Sequence, residues 1–202
     1  MPAHIIGDRD FDDIPSTKNK SLKINLNENI YGTFAEIGAG QETVRNFFRV
    51  GGASGTIAKT MSAYDKDFSD NIYGVEEDKR YVTESRLQKM LDHETSLIED
   101  RILRQKHPNK LFFTYANTVA TIDFAKKYKG HGWVGIKYQV KPDEAYNKIT
   151  LHLRFKENDA QLQQNTLGVL GVNLIYGAYY FNYDANKVLK SLYDHIDKDQ
   201  LE

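Results

Sequence analysis

The spacing of apolar and polar residues predicts a strand, a helix and a second strand in the first part of the chain. Residues 32–37 have the composition and alternation of a strand, and residues 41–50 place apolar side chains at helical spacing. The glycines of residues 51–55 end this helix. Residues 56–64 alternate again, which favours a strand, although a helix also fits their pattern.

The clearest helix in the sequence covers residues 84–103. Either Ser85 or Thr83 can cap its amino end, and Pro108 lies just beyond its carboxyl end, where proline prevents further helix. A single apolar stripe runs along this helix, as expected for a helix that packs against a core. The stripe consists of Leu87, Met90, Leu91, Ile98 and Ile102.

Three consecutive segments in the second half have the composition of strands. Residues 110–121, 132–140 and 148–155 are rich in aromatic and β-branched side chains. Because only short connections separate them, we expect antiparallel pairing and not repeated strand–helix–strand units.

An uncharged segment at residues 160–182 predicts a buried helix. A bilayer-spanning helix needs about 20 consecutive apolar residues, whereas this segment begins with polar residues and contains Asn173. Its glycines are expected to let another element approach closely, at some cost in helix propensity. They are Gly168, Gly171 and Gly177. A last amphipathic helix is expected at residues 185–196.

These elements predict an α/β or α+β fold. We expect a single domain with a mixed, partly antiparallel sheet, packed by helices that include the buried C-terminal helix. The domain is predicted to cover residues 23–202, and the polar residues 1–22 are predicted to form a flexible N-terminal segment.

Composition and charge narrow the classes of function. The 202 residues carry a net charge of −1, so no overall positive field favours nucleic acid or an anionic membrane. The absence of cysteine excludes disulfides, thiolate metal sites and a cysteine nucleophile. No secretory signal pattern is present at the start, and we expect a cytoplasmic location. The six histidines show no metal-ligand spacing, so no metal site is predicted.

A glycine turn after the first strand is the main candidate for chemistry. Glu36, Gly38 and Gly40 form an acid-x-Gly-x-Gly pattern between the predicted strand and helix. Glycine lets a ligand approach the main chain, and the free N–H groups near Gln41, at the start of the helix, attract a polar ligand. The alternative is a turn whose glycines serve only the fold.

This turn resembles the first motif of S-adenosylmethionine-dependent methyltransferases, which holds the adenosyl group. The resemblance implies that Glu36, and Asp65 after the second strand, accept hydrogen bonds from ribose hydroxyls. It covers about 30 residues, and the antiparallel second half departs from a methyltransferase sheet. Glu42 stands where the glycine series would continue, and its carboxylate disfavours a dinucleotide pyrophosphate.

A second glycine cluster adds Gly52, Gly55 and Lys59 to the candidate ligand-binding residues. The segment superficially resembles a phosphate-binding loop, but alanine occupies positions 53 and 58, where the Walker pattern requires glycine. If both glycine turns open on the same side, they line one cleft. The length of the intervening helix opposes this arrangement, because ten helical residues extend about 15 Å.

Glu94 is a candidate acid or base because it lies on the apolar stripe of its helix. Burial of a carboxyl group raises its pKa, which suits proton transfer near neutral pH. The alternative is that Glu94 lies at the edge of the stripe or pairs with an arginine. The sequence does not decide whether the protein is an enzyme.

Three long segments resemble the N-terminal part of a larger bacterial family of unestablished function. These segments are residues 34–70, 80–94 and 165–180. Members carry two conflicting labels, nicotinate-nucleotide adenylyltransferase and TonB-dependent receptor. The His-x-Gly-His and Ser-Thr-x-x-Arg motifs of the first class are missing here, and so is the signal peptide of the second. The resemblance implies a chain that is part of a longer protein.

The leading hypothesis is a domain that binds a nucleotide-like or other small polar ligand at the glycine turn. The rival hypothesis is a non-catalytic oligomerisation or interaction domain, and a methyltransferase-like enzyme is a third. We expect a small-molecule ligand, no strong nucleic-acid interaction, no membrane insertion and a homo-oligomer. The cofactor, if there is one, stays unidentified.

Overall fold

The computed structural model describes residues 14–102 and 104–202. In this part of the chain, helices and strands alternate first and a run of strands follows. The helices are α1 (Thr17–Asn25), α2 (Glu42–Arg49), α3 (Lys66–Tyr73), α4 (Glu84–Arg101), α5 (Ala160–Tyr180) and α6 (Ala185–Leu192). The strands are β1 (Ile30–Gly38), β2 (Ile57–Ala63), β3 (Leu111–Ala120), β4 (His131–Tyr138) and β5 (Asn147–Arg154).

All five strands form one mixed sheet in the order β2-β1-β3-β4-β5. Strand β1 lies between two parallel partners, β2 and β3. The pairs β3–β4 and β4–β5 are antiparallel, as their short connections predict. The predicted α/β fold with a mixed, partly antiparallel sheet is therefore confirmed.

Helices cover the sheet on both faces. Helix α5 lies over the first face together with α1, α2 and α6, and we call this side the α5 face. Helix α4 packs on β1, β3 and β4 from the other side, with α3 beside it, and we call this side the α4 face. Because the strands of the central part are apolar on both sides, each face has its own hydrophobic core.

Helix α1 corrects the prediction for the N-terminal segment. The helix begins at Thr17, within the residues predicted to be flexible, and residues 1–13 lie outside the described part of the chain. Lys20 is fully buried, and its Nζ donates to Asn173 Oδ1 and Asp194 Oδ2, each at 2.7 Å. A polar segment was taken for a flexible one because a buried lysine with two partners cannot be inferred from composition.

The remaining boundaries agree closely with the predictions. The segment predicted at residues 56–64 forms strand β2 (Ile57–Ala63) and not a helix. Thr83, not Ser85, caps α4 by accepting from the Arg86 N–H. Helix α3 was not predicted, and Asp65 caps it by accepting from the Phe68 N–H at 2.9 Å.

Helix α5 is buried along most of its length, as predicted from its uncharged sequence. A Cβ on Gly168 would meet Glu42 and Asn46 of α2, and a Cβ on Gly171 would lie 2.3 Å from Thr43 Oγ1. A Cβ on Gly177 would lie 3.0 Å from Ser191 Oγ and 3.5 Å from Val188 Cγ1, and both of these residues belong to α6. The predicted close approach is therefore confirmed. Among the helices described, α5 included, none combines the length and apolarity needed to cross a bilayer.

Replacing Gly171 by alanine should destabilise the protein. Alanine gains about 1 kcal/mol of helix propensity, but its methyl group would overlap Thr43 and the Tyr115 hydroxyl, and overpacking costs about 1–3 kcal/mol. Urea denaturation should show a lower free energy of unfolding for Gly171→Ala. Gly177→Ala is the matched control, because its nearest contact is a more tolerable 3.0 Å. Equal stabilisation by both substitutions would contradict the packing described.

Replacing Lys20 by methionine should lower the free energy of unfolding more than Gly171→Ala does. The substitution removes a buried ion pair between Lys20 and the Asp194 carboxylate, and breaking such a pair costs about 3–5 kcal/mol. Lys18→Met is the control, because Lys18 lies on the exposed side of the same helix. Urea denaturation midpoints give the comparison, and a loss as small as that of Lys18→Met would show that the pair contributes nothing.

Candidate functional site

The predicted glycine turn lies at the carboxyl end of β1, in close contact with β3. Gly38 has φ +79°, and a Cβ there would lie 2.1 Å from the Val119 carbonyl oxygen. At Gly40 a Cβ would lie 1.8 Å from Asn117 Oδ1. Both glycines are thus required by the fold, Gly38 by its backbone conformation and both by the approach of β3.

Glu36 lies in the centre of a row of polar side chains that crosses three strands. Ser62 of β2 and Asn117 of β3 are its direct neighbours in register, on the α5 face. Glu36 and Asn117 are fully buried, and the Ser62 hydroxyl donates to Glu36 Oε2 at 3.2 Å. Glu36 Oε1 and Asn117 Oδ1 accept no hydrogen bond of good geometry from any described residue. Unpaired buried oxygens are costly, so they mark this row as unusual.

Burial raises the pKa of Glu36 to about 8. Loss of hydration is the main cause, because a carboxylate is poorly stabilised away from water. The Ser62 hydroxyl and the nearby Val44 amide oppose the shift, and the charge of Glu42 adds to it. At neutral pH the Glu36 carboxyl is therefore mostly protonated and offers a donor as well as acceptors.

A hydrogen-bonded group fixes the start of α2 to this row. The Tyr115 hydroxyl and Thr43 Oγ1 lie 3.0 Å apart, and the Asn117 side-chain amide donates to the Gly40 carbonyl oxygen at 3.2 Å. Burial also raises the pKa of Tyr115, so its hydroxyl stays protonated. The first turn of α2 is thereby held against the carboxyl ends of β1 and β3.

The main-chain amides of the turn are partly engaged. The Ala39 N–H, between the two glycines, donates to the Val119 carbonyl oxygen at 3.2 Å. Gln41 is the residue before α2, and its side chain donates to the Gly38 carbonyl oxygen instead of capping the helix. The N–H groups of the first turn of α2 are the donors that a helix start leaves for other partners.

Four of the eight predicted ligand-binding residues lie together in the structure, and a fifth lies at the same edge of the sheet. Glu36, Gly38, Gly40 and Gln41 are neighbours at the carboxyl edge of β1. Asp65 follows β2 at the same edge of the sheet, where it caps α3.

The other three predicted residues lie elsewhere. Gly52, with φ +73°, packs near Asn25, and the Gly55 carbonyl oxygen accepts from Lys110 at the opposite end of the strands. Lys59 pairs in register with Thr33 and therefore projects to the α4 face. The two glycine turns therefore do not form one cleft, because a helix and the length of β2 separate them.

Glu94, the candidate acid or base, is buried on the α4 face. Its Oε1 accepts from the Tyr73 hydroxyl at 2.9 Å, and its Oε2 lies 2.5 Å from Lys59 Nζ. The charge partner is therefore a lysine and not the arginine that was considered. Burial and the adjacent Glu94 carboxylate raise the pKa of Tyr73, so that hydroxyl remains a donor.

Four further members of the site were not predicted from the sequence: Asn117, Ser62, Thr43 and Tyr115. A polar residue within the apolar β3 segment was the one available signal for Asn117. Strand register brings Ser62 and Tyr115 close to Glu36, and the packing of α2 against β3 brings Thr43 there; neither can be inferred from local sequence.

The chain is similar in fold to solved bacterial structures. A competence or damage-inducible protein from Enterobacter asburiae has a TM-score of 0.54 at 12% identity, with coverage of 82% of this chain and 99% of that chain. A competence-damaged protein (CinA) superfamily protein from Klebsiella pneumoniae has a TM-score of 0.53 at 10% identity, with coverage of 79% and 93%. The competence/damage inducible protein CihA from Agrobacterium tumefaciens has a TM-score of 0.50 at 13% identity, with coverage of 78% and 90%.

No protein-family profile and no curated protein sequence matches the chain. At these identities the likeness to solved structures establishes the fold alone. The similar structures carry neither of the labels attached to the bacterial family suggested by the sequence, adenylyltransferase or receptor.

Replacing Glu36 by glutamine should change how stability depends on pH. Because the pKa in the folded state lies above the ordinary value of 4.5, the folded protein binds more protons than the unfolded chain between pH 4.5 and about 8. The free energy of unfolding of the parent should therefore fall as pH rises through that window, by at most about 1.4 kcal/mol per pH unit. Glu36→Gln should remove this slope.

Urea denaturation at pH 5, 6, 7 and 8 gives the slopes for both proteins. Glu77→Gln is the control, because Glu77 is exposed and should leave the slope unchanged. If the free energy of unfolding depends on pH in the same way in the parent and in Glu36→Gln, then Glu36 is ionised and well stabilised in the folded protein.

Proposed function

We propose that the protein binds a small polar ligand, of nucleotide-like chemistry, at the carboxyl edge of β1 and β3. The observation that supports this most is the pair of buried oxygens, Glu36 Oε1 and Asn117 Oδ1, for which the described residues offer no hydrogen bond of good geometry beyond the contact of the Val44 amide with the Glu36 carboxyl group. Each such group costs roughly 1–3 kcal/mol when it stays unpaired. A ligand that supplies donors recovers this free energy.

The position of the pair within the sheet also supports a ligand site. From β1 the chain crosses through α2 to β2 on one side, whereas β3 lies on the other side. The strand order therefore reverses between β1 and β3, and open α/β sheets bind ligands outside the carboxyl ends of strands at such a point. Glu36 and Asn117 face each other across it.

The chemistry of the site favours a nucleoside over a polyphosphate. Glu36 and Asn117 suit hydroxyl and amine donors of a ribose or a base, and Asp65 at the same edge adds an acceptor. The amides at the start of α2 supply donors to the ligand. Glu42 in the first turn of α2 is paired with two arginines of the same helix, at 2.8 and 3.5 Å, so the preference for a nucleoside comes from the acceptors and not from repulsion by Glu42.

The proposal includes a cytoplasmic location and a place within a larger bacterial protein. The similar structures are bacterial proteins described as competence- or damage-inducible. An uncharged nucleoside-like metabolite, or S-adenosylmethionine, fits the acceptors described.

One observation favours assembly as a second candidate function. Phe124 and Tyr128, on the connection between β3 and β4, are largely exposed. Two aromatic side chains exposed on one loop are typical of surfaces that bury against a partner. In this alternative the glycines of the turn serve only the contact between β1 and β3, and another copy of the chain covers the loop.

Thermal unfolding of the whole chain with adenosine, AMP and S-adenosylmethionine tests the proposal. A ligand at 100 times its Kd should stabilise the protein by about 2.7 kcal/mol. Adenosine should act at lower concentration than AMP, because the acceptors of the site match its hydroxyl and amine donors, whereas the phosphate supplies further acceptors.

Two substitutions of similar volume and one control make the test specific. Glu36→Met and Asn117→Leu remove the unpaired oxygens, and each should raise the concentration needed for half of the shift about tenfold, the loss of one hydrogen bond. Glu77→Gln should leave the concentration unchanged. If none of the three compounds shifts the melting temperature, and that temperature rises with protein concentration, assembly is the function and the ligand proposal fails.

A further inference from the structure

We infer that a second cavity, on the α4 face of the sheet, binds a small organic anion with an apolar body. It lies between α4 and the amino-terminal parts of β1 and β2, with a volume of about 410 Å³. Cavities that hold small molecules span about 300–1,000 Å³. The inference does not depend on the site at Glu36, because the two regions lie on opposite faces of the sheet.

One wall of the cavity is apolar. Leu97, Ile98 and Ile102 line it from α4 and the residue that follows, and the Tyr31 ring of β1 lines it from the sheet. This wall suits an alkyl chain or an aromatic ring, which gains about 25 cal/mol for each Å² removed from water.

The polar groups of the cavity carry a net positive charge. Lys59 and Arg101 contribute two cations, and Glu94 contributes one carboxylate. The Glu94 oxygens are already engaged, one by the Tyr73 hydroxyl and one by Lys59 Nζ. One positive charge is therefore left over, and it favours a single anionic group on the ligand.

Lys59 is the residue placed to contact that anionic group. Its side chain is 36% exposed, while that of Glu94 is 1% exposed, so the ammonium stands between the buried carboxylate and solvent. An ammonium group has three donors, and Glu94 uses one side of it. The ion pair with Glu94 accounts for the direction of this edge-strand lysine, which faces α4. Lys59 therefore has a role separate from the glycine turn.

Octanoate, with octanamide as its uncharged counterpart, tests the inference on the whole chain. Amide chemical shifts of the ¹⁵N-labelled protein should change saturably with octanoate at residues of α4 and of β1–β2 around the cavity. Octanamide should bind at least tenfold more weakly, because it lacks the charge. Equal affinity for the two compounds, or shift changes confined to other regions, would overturn the inference.

Substitutions separate the charge from the fold. Arg101→Gln removes the excess positive charge at an exposed position, and it should weaken octanoate binding at least tenfold while octanamide binding stays the same. The double variant Lys59→Met with Glu94→Gln removes the ion pair without leaving either charge buried alone or changing the net charge, and it should weaken octanoate about threefold through loss of the Lys59 contact. Lys190→Gln, at an exposed lysine of α6 on the other face of the sheet, is the control.

The result is distinguishable from that of the nucleoside experiment. Glu36→Gln should leave octanoate binding unchanged, because Glu36 faces α5. Octanoate affinity that falls in Glu36→Gln but not in Arg101→Gln would place the anion at the other site and refute the inference.

Discussion

The pairing of β1 with two parallel neighbours is the constraint on which the structure depends. Parallel strands cannot be joined by a tight hairpin, so each connection must cross a face of the sheet. The chain meets this requirement once through α2 on the α5 face and once through α3 and α4 on the α4 face. Both faces of β1 are thereby covered, and its central residues must be buried whatever their polarity.

This constraint explains why a glutamate is buried at the carboxyl end of β1. Register places Glu36 between Ser62 and Asn117, and α2 closes over the row because Gly168 and Gly171 let α5 press against it. A carboxyl group in such a place is expensive to ionise, and the raised pKa expresses that cost. A carboxyl group whose pKa is raised in this way, at the carboxyl end of a sheet strand, is a candidate for a functional role.

Much of the fold could be predicted from local sequence patterns, whereas the site depends on which strands pair and in which register. Strong amphipathic helices such as α4, strand-rich segments such as β3, and the glycine turn at Gly38 were predictable because their signals lie within a few residues. Helix α1 was not predictable because Lys20 is buried through a contact with Asp194, at the far end of the sequence. In the same way, Asn117 could be assigned to the site only once its register with Glu36 was known.

The contact between Lys20 and Asp194 joins positions 174 apart in sequence. The end of the chain is held in the same way, because Arg154 and Glu202 exchange main-chain hydrogen bonds. A nascent chain leaves the ribosome from its N-terminus, at roughly 5–20 residues per second. Helix α1 therefore emerges well before the residue that pairs with Lys20, so its docking must wait until the segment around Asp194 has been synthesised.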